Sequence, residues 1–156
     1  MTTTFRIANP RFRETILRHL ERQEFMKHIG CRLVTIEPGY VVAEIDLKLQ
    51  HQQQIGLVHG GVTATIADVA AGFAGFTLVG PTQHTVTAEL KVSYFSKGRG
   101  TLLRAIGRVV KPGRSLHFCE ADVYAVDADD NAVLIARATT TMAVIEHGVD
   151  PLQHQQ

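Results

Sequence analysis

His59-Gly60-Gly61, followed nine positions after the histidine by Asp68, gathers the residue types in this chain that can do chemistry. Asp68 is the sole charged residue in the run from Val62 to Phe76. An ionised carboxylate in apolar surroundings is disfavoured unless hydrogen bonds or water compensate it, so Asp68 is either a satisfied structural residue or a reactive group. A carboxylate so placed can accept a proton from water or attack a carbonyl directly. Gly60 and Gly61 open a helical run, where free backbone amides and the positive end of the helix dipole can meet a developing oxyanion. Without side chains they allow close backbone approach, although a tight loop-to-helix turn would also use them. His59 reads as the residue that orients this turn through a hydrogen bond rather than one that transfers protons. The other histidines, His19, His28, His51, His84, His117, His147 and His154, are dispersed and form no metal-ligand spacing. No metal and no cofactor are expected.

These residues need a framework. Asn9-Pro10 starts an amphipathic helix with Phe12, Ile16, Leu17 and Leu20 on one face, ended by Gly30. Cys31 to Glu37 and Tyr40 to Leu49 read as strands joined through Pro38-Gly39. In the second, Val41, Ala43, Ile45, Leu47 and Leu49 point to a core while Glu44, Asp46 and Lys48 point to water. A polar loop at 50–58 precedes a helix from Gly61 to about Val79 that is apolar nearly all round and must be wrapped by a sheet. Thr85 to Phe95, Thr101 to Lys111, Ser115 to Val126 and Ala132 to Glu146 supply further strands, separated by Gly- and Pro-rich or acidic turns. Alternation places Thr87 and Glu89 together on the face opposite Val86, Ala88, Leu90, Val92 and Tyr94. His147 to Gln156 reads as a frayed tail.

At 156 residues and 45% hydrophobic composition, the chain suits one domain spanning 1–156. Sixteen basic side chains scattered against fifteen acidic ones leave no footprint for nucleic acid. Cys31 and Cys119 are too few for a disulfide scaffold, and the first thirty residues offer no signal-peptide pattern, so a cytoplasmic location is expected. Val69 to Gly80, the longest mostly apolar segment, falls short of the roughly 20 residues that span a bilayer. No membrane partner is expected.

An amphipathic helix, a hairpin, a buried helix and four antiparallel strands form the order of the hotdog fold, an α+β architecture with a long helix wrapped by about five to six strands. The segment Gly56-Leu57-Val58-His59-Gly60-Gly61-Val62, Asp68, the Phe25 to Gly30 lead-in and Ala88-Glu89-Leu90-Lys91-Val92-Ser93-Tyr94 together resemble the PaaI-like acyl-CoA thioesterases over roughly residues 25–146. The resemblance implies that Asp68 serves as general base or nucleophile, and that the Gly60 amide polarises the thioester carbonyl. The family commonly has an asparagine six residues before the histidine and a serine or threonine on the strand after the helix. Gln53 and Thr87 fall at these places, Gln53 being a departure that is one methylene longer. Thr87 would orient water, Gly61 would help bind substrate, and no cofactor is implied.

From Gly61 to Asp68 a helix advances about 10 Å, too far for one chain's carboxylate to serve a carbonyl at its own helix start. Hotdog proteins pair two subunits edge to edge, so the resemblance implies a homodimer at least, with further assembly into tetramers. Lys97, Arg99 and Arg114 lie in polar turns that could meet CoA phosphates, and Arg114 is the candidate carried forward. The competing readings are a non-catalytic acyl-CoA-binding module and a hydratase or dehydratase of acyl thioesters.

Overall fold

The computed structural model describes residues 5–146. Two short helices, α1 (Phe12–Glu21) and α2 (Glu24–Ile29), lead into β1 (Cys31–Glu37) and β2 (Tyr40–Asp46). A single 3-10 turn (Leu49–His51) and a loop then reach α3 (Gly60–Phe76), which is followed by β3 (Gln83–Tyr94), β4 (Leu102–Pro112), β5 (Leu116–Val126) and β6 (Ala132–Glu146). The strands form one antiparallel sheet in the order β1-β2-β4-β5-β6-β3. His147 to Gln156, expected to be a frayed tail, lies outside the described residues.

α3 packs against β2, β4 and β5, and its composition explains how. Ile66, Ala67, Ala70, Ala71 and Ala74 are fully buried against Ile45, Leu103, Ala105, Ala121 and Val123. Small residues dominate because the helix lies very close to the sheet: a Cβ on Gly107 of β4 would overlap the Ala70 carbonyl. Each fully buried Ile or Leu adds about 1.5–3 kcal/mol.

Several expectations are revised. The N-terminal helix is two helices, broken at Arg22-Gln23, and Gly30 closes only the second, in a left-handed conformation. Leu17 is 46% and Leu49 85% exposed, so neither belongs to the core. Glu44 is buried because Arg32 (2.9 Å) and Arg104 (2.8 Å) neutralise it on the outer face of the sheet. Arg108 and Arg137 enclose Asp122 in the same way. α3 begins at Gly60 and ends at Phe76, earlier than expected, with buried Thr77 capping the turn by donating to the Ala74 carbonyl.

β3 departs most instructively from simple alternation. A bulge between Thr87 and Glu89 inserts Ala88 and reverses the phase of the side chains. Thr85 and Thr87 face α3, as their bonds to Gly72 and Asp68 show, while Leu90 and Val92 pack toward the core beyond the bulge. Glu89 therefore does not share the face of Thr87: it lines an outer groove with Phe118 and Glu120.

Candidate active site

The start of α3 is built by its own lead-in. The His51 carbonyl accepts from the His59 amide (2.8 Å), and the His59 Nδ1 accepts from the Gly61 amide at 2.9 Å as the helix cap. A Cβ on Gly61 would come within 3.0 Å of that ring nitrogen, so the cap itself favours glycine there. The Val62 and Thr63 amides donate to the His59 carbonyl at 3.0 and 3.2 Å. Among the described residues, the Gly60 amide is the one first-turn donor without an acceptor. It borders an open cleft of about 450 Å³ shared with Gln53, Tyr94, Phe95 and Lys97. The Gln53 side-chain amide has no partner among the described residues, and its backbone holds the loop through bonds to Leu57 and Gly56. An unengaged amide at the positive end of a 17-residue helix, beside a second free amide group, is suited to hold an oxyanion.

Asp68 lies two turns along α3 in a different hollow, a cavity of about 140 Å³ bordered also by Thr87, Phe73 and Met142. Thr87 Oγ1 donates to Asp68 Oδ1 at 2.8 Å, the one hydrogen bond its carboxylate makes among the described residues. Burial pushes the Asp68 carboxyl above its ordinary value, and the Thr87 bond draws it partway back. A half-buried carboxylate with one neutral partner retains the lone pairs that a base or nucleophile needs.

The expected site residues thus separate into two groups within the chain. Gly60 and Gln53 share the cleft at the helix start, and His59 and Gly61 form its cap. Asp68 and Thr87 share the second cavity, about 12 Å from Gly60 by helical rise. Arg114 joins neither group: it borders a third hollow with Arg6, Leu78 and His117, and of the three basic turn residues Lys97 is the one at the Gly60 cleft. Lys97 is set there because Gly98 packs against Val58 and its carbonyl accepts from the Val58 amide (3.0 Å).

Two residues near the helix start carry roles that the sequence did not disclose. Tyr94, read as one of the apolar set on its strand, donates its hydroxyl to the Gly60 carbonyl at 2.8 Å and steadies the first turn. His51 is 2% exposed and its Nδ1 accepts from the Lys48 amide, which fixes the loop that carries Gln53. The adjacency of His51 to Gln52-Gln53 was the available signal, but dispersed histidines looked alike. Cys31 and Cys119 are free thiols that burial pushes up to about 11 and about 12, which removes them as nucleophiles near neutral pH. No cluster of metal-ligating side chains occurs among the described residues.

Residues 55–131 match the Thioesterase superfamily. A thioesterase family protein from Silicibacter pomeroyi is 30% identical and superposes with a TM-score of 0.84, covering 86% of this chain and 98% of that one. Acyl-coenzyme A thioesterase 13 from Homo sapiens is 28% identical over 113 residues, 71% of this chain and 80% of that protein. The E. coli PaaI protein, at 15% identity, shares the fold with a TM-score of 0.77 over 92% of this chain and 99% of that one. The match begins just before the helix that carries Gly60 and Asp68 and runs through β3, β4 and β5, and with the likeness to the Silicibacter pomeroyi protein it shows that the chain belongs to the thioesterase superfamily, as a thioester hydrolase of the hotdog fold.

Proposed function

We propose that the protein hydrolyses an acyl-CoA to a free acid and CoA, in a metal-independent site shared by two copies of the chain. The observation that carries this reading is the separation within one chain of an open oxyanion donor, the Gly60 amide, from a desolvated carboxylate, Asp68. Gly60, assisted by Gln53, polarises the thioester carbonyl. Asp68 of the second copy either removes a proton from the attacking water, which Thr87 helps to hold, or attacks the carbonyl itself. The CoA thiolate is a good leaving group and needs little acid assistance, so one carboxylate suffices. Lys97, at the mouth of the Gly60 cleft, is the cation best placed to meet a CoA phosphate, whereas Arg114 faces another hollow. Both free cysteines suit a reducing, cytoplasmic setting.

Support for the second copy comes from β3. It ends the sheet, so one side of its twelve-residue backbone has no strand partner among the described residues, and Val86 and Tyr94 on it are 43% and 54% exposed. A long edge strand with exposed apolar side chains invites pairing. Isologous antiparallel pairing of two β3 strands would carry the α3 helices past one another, so that the start of one meets the middle of the other. The test is a thiol-release screen over acyl-CoA esters of graded size. Release that depends on Asp68 supports hydrolysis, whereas an intact thioester after saturable binding would leave a binding module or a hydratase.

A further inference from the structure

Tyr94 closes β3, and the backbone around it is anchored to β6: it pairs with Ala136, and the Phe95 amide donates to the Ile135 carbonyl at 2.8 Å. From that frame its hydroxyl reaches the Gly60 carbonyl at 2.8 Å, and its ring lies against Gly60, where an added Cβ would stand 3.5 to 3.6 Å from it. A peptide carbonyl has two lone pairs, so it can take the tyrosine proton as well as the amide of the next helical turn. At 54% exposure Tyr94 is not a core residue, so the hydroxyl bond can be removed without opening a cavity.

The Gly60–Gly61 peptide is held at its other end too, since its N–H, on Gly61, donates to His59 Nδ1 at 2.9 Å. Hydroxyl, peptide and imidazole therefore form one chain, Tyr94 O–H to Gly60 C=O and Gly61 N–H to His59 Nδ1. Bonds in such a chain polarise one another: a carbonyl that accepts makes the N–H of the same peptide a better donor. The preceding peptide carries the open Gly60 N–H, and its carbonyl, on His59, accepts from the Val62 and Thr63 amides. Gly60 thus sits between two peptides whose planes are gripped from outside, although it lacks the side chain that would otherwise restrict its φ and ψ. The direction of its N–H is set by those grips.

We propose that Tyr94 is a positioning residue for the oxyanion donor: through the Gly60–Gly61 peptide it acts together with His59 to hold the Gly60 N–H toward the cleft. The proposal rests on the acyl-CoA reading for the thioester carbonyl at that amide. Its contribution belongs to the transition state, in which negative charge gathers on the carbonyl oxygen, so it appears in kcat more than in KM. One positioning bond between uncharged groups is worth about 3–10-fold, below the roughly 10²–10³-fold of an oxyanion donor itself.

The test measures thiol release from benzoyl-CoA, hexanoyl-CoA and palmitoyl-CoA by wild type, Tyr94→Phe, His59→Ala and the double variant. The Gly61 amide of wild type and Tyr94→Phe is followed by NMR. Tyr94→Phe keeps the ring and removes the hydroxyl. Expected are a kcat lower by about 3–10-fold with KM within about 2-fold of wild type, and a Gly61 amide proton that moves upfield as its bond to His59 weakens. In the His59→Ala background, where the chain is already cut, the same substitution should cost less than about 2-fold. Wild-type kcat in Tyr94→Phe, a change confined to KM, or the same fold-loss with and without the His59 ring overturns the positioning role and leaves the thioesterase reading standing. A fall in kcat with an unmoved Gly61 amide does the same. If none of the three esters is cleaved but the Gly61 amide responds to Tyr94→Phe, the hydrogen-bonded chain stands and the hydrolytic reading falls. If there is no cleavage and the amide does not move, both fall.

Discussion

At the residue scale, the proposed function turns on a carboxylate that the fold holds at a cost. Burial raises the Asp68 pKa in the folded chain, so its stabilising contribution is complete below the unfolded value and is lost as pH rises through the folded one. Near neutral pH ionised Asp68 therefore works against folding. Asp68→Asn is expected to melt at or above the wild-type temperature at pH 7, with the difference closing in acid, while turnover drops about 100-fold or more. Wild-type turnover in that folded variant would remove Asp68 from the mechanism. Thr87→Val removes the bond that draws the carboxyl back down, so the acid limb of the pH–rate profile should move to higher pH. Its turnover should fall with little change in binding, and a pure binding defect would contradict that role. Chelation with EDTA should leave activity unchanged; loss restored by one divalent ion would point to a metal. The spacing of His59, Gly60 and Asp68 was legible in the sequence because it is local to one turn and one helix. The role of Tyr94 and the placement of Lys97 were not, since each depends on contacts between segments far apart in the chain.

At the element scale, the start of α3 and its closeness to β4 position everything else. His59→Ala should cost about 1 kcal/mol by losing the cap, measured by denaturant unfolding, and should lower turnover by loosening the Gly60 amide. Unchanged stability would mean the ring nitrogen is not the cap in solution. Gly107→Ala should destabilise by about 1–3 kcal/mol, because the added methyl meets the Ala70 backbone, which cannot swing away as a side chain can. Alternation, apolar runs and Gly/Pro turns were enough to locate α3 and the strands, since those patterns are set by which face each residue buries. Three features left no such mark. The break at Arg22-Gln23 has neither Gly nor Pro, and the bulge at Ala88 sits between two segments that each alternate normally. Glu44 looked like a solvated charge because the arginines that bury it come from other strands.

At the scale of the whole molecule, the two halves of the candidate site face different hollows of one chain, and the edge of β3, unpaired among the described residues, is the proposed means of bringing two chains together. Asp68 and Gln53 should then serve one reaction centre from different subunits. In homodimers of either Asp68→Ala or Gln53→Ala, both sites are defective. Unfolding and refolding the two variants together should yield mixed dimers with one doubly defective site and one site that retains both wild-type groups. With random pairing, half of the dimers are mixed and half of their sites intact, so thiol release should recover to about a quarter of wild type. Recovery to that level, with mixed dimers verified by mass spectrometry and each single variant strongly impaired, is the result that a site divided between chains predicts. Mixed dimers that stay at the mutant baseline would contradict it.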